Sequence, residues 1–115
     1  MASPTETRMQ EITELLRPYI APIVERINVE EFTTVEFIEA MQQDPETRDV
    51  YNNALGRWIE PGEFRAKTVI HGQVIPLLLR QTGLVEWSGF AHGEEDPYAI
   101  PAWWRKLESL RETHD

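Results

Sequence analysis

The chain has 115 residues, 41% hydrophobic and 27% charged, with a formal net charge of −9 and no cysteine. That length and composition suit a single domain with one core and exclude general disorder, while the lack of cysteine removes disulfides, thiolate zinc sites and cysteine nucleophiles together. No apolar run approaches the ~20 residues needed to span a bilayer and no signal-type segment follows Met1, so a cytoplasmic protein without a membrane partner is expected, folded as one unit over residues 1–115.

The charge is unevenly spread. Residues 1–56 carry −7, residues 57–81 carry +2, residues 82–101 carry −4 and residues 102–115 are neutral. The chain as a whole should be repelled by phosphate backbones, so any nucleic-acid contact must come from the locally basic stretch.

Ser3-Pro4-Thr5-Glu6 reads as a capping box with proline at N1. Met9, Ile12, Leu16, Ile20, Ile23 and Ile27 keep a helical period through Pro18 and Pro22, which predicts one long helix over 4–27, bent at its prolines. Leu16, Ile20 and Ile23 are candidates for a homodimer interface, although packing on its own domain is the commoner fate of such a stripe.

Phe32-Thr33-Thr34-Val35-Glu36-Phe37 is the clearest local signal. Thr33 is placed as N-cap with Glu36 at N3, and Phe32 can staple to Phe37. This helix stops before Asp44-Pro45, where Asp44 can cap a second helix and Pro45 take its N1. Val50, Tyr51, Ala54, Leu55 and Trp58 give that helix an apolar face, and Glu60-Pro61-Gly62 is a turn.

A third helical region follows over 64–82. Ile70, Val74, Leu77, Leu78 and Gln81 fall in one stripe, so that face is expected to be buried, while Gly72 and Pro76 make its first half imperfect. Gly83 supplies the left-handed residue that ends the helix, and Leu84 to Trp87 alternate as a half-buried strand. After turn-rich residues 88–97, Tyr98 to Trp104 return as a second strand, which Pro101 marks as an edge strand. Of Trp103 and Trp104, a strand turns one inward and one outward. Residues 106–115 form a tail or a last helical turn.

The stretches TTVEFIEAM, PETRDVYNNAL and IHGQVIPLLLRQTGLVEWSGF together resemble the first helix, second helix, and recognition helix with wing of a winged helix-turn-helix domain, over residues 29–105. The resemblance implies an α+β fold, a three-helix core with a C-terminal β-hairpin wing, to which the 4–27 helix is an addition suited to dimerisation. It also implies DNA binding, with the third helix in the major groove. By position, Gln73 and Arg80 would face bases, and Arg57, Arg65 and Lys67 would meet phosphates of double-stranded DNA.

Two features depart from that pattern. The wing carries Glu94, Glu95 and Asp96 where basic residues would meet phosphate, and the outward arc of the third helix holds Val69, Pro76 and Leu79. These favour a rival reading, an acidic module that binds a protein partner, with Leu79 and Trp104 added to the candidate interface.

Chemistry beyond binding has little support. His71 and His92 lack a helical His-x3-His spacing and Ser88 lies in no nucleophile elbow, so no metal, cofactor or catalytic residue is expected. Trp87, Phe90, Tyr98, Trp103 and Trp104 are read as core aromatics of two strands rather than as a stacking platform for single-stranded nucleic acid.

Overall fold

The computed structural model describes residues 4–58, 63–93 and 95–107. Among them the architecture is α+β, with helices packed on one face of a three-stranded antiparallel sheet. Ser3, the Glu60-Pro61-Gly62 turn and the tail from residue 108 lie outside the described residues.

Helix α1 (Pro4–Arg26) is continuous through both prolines. Pro18 and Pro22 are exposed, so the backbone groups they leave unpaired face water, where the loss is small. Ile12, Leu16, Ile20, Ile23 and Val24 occupy the opposite face and are fully buried. Leu16, Ile20 and Ile23 are therefore core residues of the chain itself. As folded, they offer nothing to a second copy.

Strand β1 (Glu31–Thr33) leads directly into α2 (Thr34–Gln43). The capping box forms as its spacing predicts: Glu36 N–H donates to Thr33 Oγ1 at 3.1 Å, and Thr33 N–H donates to Glu36 Oε1 at 2.9 Å. Phe32 and Phe37 stack with ring centres 6.1 Å apart. Asp44 caps α3 (Pro45–Gly56) by accepting from Glu46 N–H at 2.9 Å, with Pro45 in the first turn. Tyr51 and Ala54 reach the core from this helix, Trp58 joins them from two residues past its end, and Val50 and Leu55 pack at its margin.

Helix α4 spans 63–81 in three parts: an α segment Glu63–Val69, a π turn Ile70–Val74 and an α segment Ile75–Gln81. Pro76 has no N–H, and its ring would clash with the preceding turn of a regular helix. Inserting one residue widens that turn, with Ile75 N–H donating to Ile70 O. The buried pairs Ile70/His71, Val74/Ile75 and Leu78/Leu79 consequently repeat every four residues, a longer period than 3.6. The expected stripe is corrected: Leu77 is 42% exposed and Gln81 is exposed, whereas Leu79, expected outside, is fully buried. Val69, also expected outside, is buried with Ala66 and Ile70 at the regular helical spacing that precedes the π turn.

Gly83 ends α4 at φ 72°, and β2 (Val85–Phe90) and β3 (Ala102–Lys106) complete the sheet in the order β1-β3-β2. β3 is therefore central rather than an edge strand. Pro101 stands one residue before it and contributes only its carbonyl, which accepts from Ala91 N–H at 2.9 Å. Trp104 is the largest fully buried side chain, and its indole N–H donates to Thr34 Oγ1 at 2.9 Å. The same hydroxyl lies 3.3 Å from Ala102 N, so the first residue of α2 fastens the central strand to the helices. Trp104, a candidate for the interface, is thus core, and the adjacent Trp103 is the half-buried one. No helix among the described residues is long and apolar enough to cross a membrane.

Candidate interaction surface

The π turn sets the site, because it turns His71 inward between two partners distant in sequence. His71 Nδ1 lies 2.9 Å from Asp96 Oδ2, and His71 Nε2 lies 2.6 Å from the Tyr51 hydroxyl. A carboxylate only accepts, so Nδ1 carries a proton, and in the neutral ring the tyrosine O–H donates to Nε2. All three side chains are nearly removed from water: Tyr51 is 1% exposed, and the His71 and Asp96 side chains 8% and 6%. This chain of hydrogen bonds ties α3 and α4 to a segment distant in sequence.

What it holds is the connection between β2 and β3. Asp96 Oδ1 also accepts from Tyr98 N–H at 2.9 Å, and the Tyr98 ring lies 5.3 Å from both Phe64 and His71. Lys67 Nζ stands 5.2 Å from the centre of the Tyr98 ring. Gly72 completes the contact, since a Cβ there would come within 3.3 Å of Ala99 Cβ. The acidic connection is thereby laid against the first half of α4 instead of projecting as a free wing.

On the other side of this connection an aromatic surface opens. Trp87 pairs with Trp104 and Phe90 with Ala102, so two residues of β2, Ser88 and Gly89, oppose the single Trp103 of β3 and form a bulge. Gly89 takes φ 110°, which a side chain would resist. In a regular strand residues three apart point to opposite faces; the bulge puts Trp87 and Phe90 on one face. Their rings meet edge to face at 5.3 Å, and His92 continues the row 6.1 Å from Phe90. Because β2 is an edge strand, this row extends past the helical cover: Trp87 is 45%, Phe90 51% and nearby Ile100 71% exposed. An open cleft of about 810 Å³ is lined there by Phe90, His92, Ile100, Pro101, Glu95 and Asp96, among others.

Four of the five expected DNA-contacting residues are exposed, but they are dispersed. Arg65, Gln73 and Arg80 lie on the outer face of α4, and Arg65 and Arg80 are separated by about 22 Å at 1.5 Å per residue. Arg57 is at the end of α3, bonded to Asn53 Oδ1 at 3.1 Å, and Lys67 is half-buried against Tyr98. The Arg80 guanidinium lies 5.7 Å from the Trp104 ring centre. On the outer side of the hairpin Glu86 binds Arg105 and, by that hydrogen bond, raises the arginine pKa above its ordinary value.

Sequence reasoning missed Tyr51 and Asp96 as partners of His71, and took Trp87 and Phe90 for core. Only the glycine in Ser88-Gly89 hinted at the bulge. Among the described residues no three His, Asp or Glu side chains converge as a metal ion would require. The chain matches no family model, no curated protein and no solved structure.

Proposed function

We propose that this chain is a non-enzymatic, acidic protein-interaction module whose contact surface is the hairpin row of Trp87, Phe90 and His92 with the cleft beside Ile100. The observation that carries it is the exposure of three large apolar side chains together on a hairpin whose connection is fixed by a buried Asp–His–Tyr chain. Contiguous apolar surface with a polar rim marks binding sites in soluble proteins, and a pre-fixed surface loses less entropy on binding. The test is a pull-down comparing the native chain with Trp87→Ser/Phe90→Ser. Partners held by the native chain should be lost by the variant at unchanged melting temperature; capture of the same partners by both overturns the reading.

One observation favours a second reading, a winged-helix DNA-binding or transcription-associated module. Residues 64–81 contain no acidic side chain in a chain of net charge −9, and Arg65, Gln73 and Arg80 are exposed along them. The order α2, α3, α4, β2, β3 supports the winged-helix comparison, with β1 and α1 as additions. Against it stands the acidic connection packed on the first half of α4, where a recognition helix reads bases. Anisotropy with random-sequence duplex DNA decides: binding that weakens steeply with salt and is abolished by Arg65→Glu/Lys67→Glu/Arg80→Glu supports it, and no binding at low salt removes it.

A further inference from the structure

Resting on the interaction reading, we infer that the Trp87–Phe90–His92 row is a cation-accepting site, and that its occupant is an arginine or lysine side chain in a basic segment of a partner protein. Trp87 and Phe90 meet at 81° and 5.3 Å and are each about half exposed, so both keep ring surface open to a ligand, and the His92 ring lies 6.1 Å from Phe90. Aromatic faces carry negative potential, and a cation within about 6 Å of a ring centre is attracted to it. The described lining of the cleft beside the row holds the exposed Glu95, together with Asp96, itself bonded to His71 and Tyr98 N–H, and no lysine or arginine. The acidic chain around it, at −9, adds a long-range field of the same sign. A purely apolar partner would use the ring area but gain nothing from this charge, and an acidic partner or a phosphate backbone would be opposed by it. A second copy would meet its own acidic hairpin. The complementary occupant is therefore basic, with an apolar neighbour for Ile100. The fold already uses this chemistry twice, in Lys67 over Tyr98 and Arg80 over Trp104.

The test uses the full chain, labelled with nitrogen-15, and two blocked peptides identical except that one carries two arginines between leucines and the other carries citrulline, their neutral isostere, at the same places. The arginine peptide should bind at least tenfold more tightly, shift the Trp87 indole and the amides of Phe90 and His92, and weaken with added salt. In a Trp87→Leu chain, which keeps apolar area but removes the ring, the preference should fall to threefold or less. Equal binding of both peptides at these residues overturns the cation site while leaving an apolar interaction surface in place. Binding of neither at millimolar concentration also overturns it, and the pull-down with Trp87→Ser/Phe90→Ser then decides the interaction reading separately.

Discussion

The 2.9 Å contact between His71 Nδ1 and Asp96 Oδ2 joins a π turn in α4 to the connection between β2 and β3, 25 residues further along the chain. Among the described residues the same connection also meets α4 through Tyr98, against Phe64 and Lys67, and through Ala99 on Gly72. Removing the carboxylate should therefore release the connection as a unit. Asp96→Ala is expected to cost about 1–3 kcal/mol, the usual penalty for leaving a buried polar partner unsatisfied, here felt at His71 and at Tyr98 N–H. Urea denaturation gives the energy, and amide exchange over residues 95–101 should accelerate more than exchange in α1. Uniform acceleration through the whole chain would show that the contact is ordinary core and not a latch.

Tyr51→Phe isolates the other end of the same chain of hydrogen bonds. The ring is kept, so packing is unchanged, but His71 Nε2 loses its donor in a site 7% exposed. About 1–3 kcal/mol should be lost. If Asp96 and Tyr51 act through one histidine, the double variant should cost less than the sum of the two singles, because a ring freed from one partner can turn to find water. Strict additivity in the double-mutant cycle would argue that the two contacts are independent.

Gly89 makes the aromatic row possible, and its replacement tests that claim directly. At φ 110° an alanine is strained, with a cost of about 1–3 kcal/mol. Relaxing that strain means altering the bulge, which moves Phe90 relative to Trp87. Gly89→Ala should therefore lower stability and also weaken the nuclear Overhauser contacts between the Trp87 and Phe90 rings. Gly93, where a Cβ meets nothing, serves as the control, and Gly93→Ala should leave the row unchanged. Preserved ring contacts in Gly89→Ala would separate the bulge from the surface it is said to build.

What could be read from the sequence follows the range over which each feature is determined. The Thr33/Glu36 box and the Asp44-Pro45 cap are made by residues within three of one another, and both formed where spacing placed them. Substituting Thr33 by alanine should accordingly cost about 1 kcal/mol, with Glu36→Ala less than additive to it in thermal unfolding. The buried face of α4 is not local in this sense: Pro76 was visible, but whether the helix restarts or widens depends on what the inserted residue gains. Here it gains the burial of His71 between Tyr51 and Asp96. Strand β1 is only three residues long and earns its place by pairing with Trp103 to Arg105, some 70 residues away. That pairing also makes β3 central and leaves β2 as the edge. The exposure of Trp87 and Phe90 follows from this order, so a pattern of hydrophobic residues alone assigns them to the core.

Lys106 gives a prediction in pH. It faces the core side of β3 opposite Val85, is 8% exposed, and donates from Nζ to the Ile27 carbonyl just beyond the end of α1. Burial disfavours its charged form and lowers its pKa below the ordinary lysine value of about 10.4. Below the folded pKa the lysine is protonated in both states, and folding bears the full cost of desolvating the ammonium. Between the folded pKa and about 10.4 the unfolded chain binds more protons than the folded one, so stability rises with pH in that window. Other lysines and the tyrosines titrate in the same range, and Lys106→Met serves as the reference that removes them. The stability of the native chain minus that of Lys106→Met, from urea denaturation at steps between pH 7 and 10.5, should be flat at first and then move in favour of the native chain. A difference that stays flat throughout, or moves towards the variant as pH rises, would place the ammonium in water and not against the end of α1.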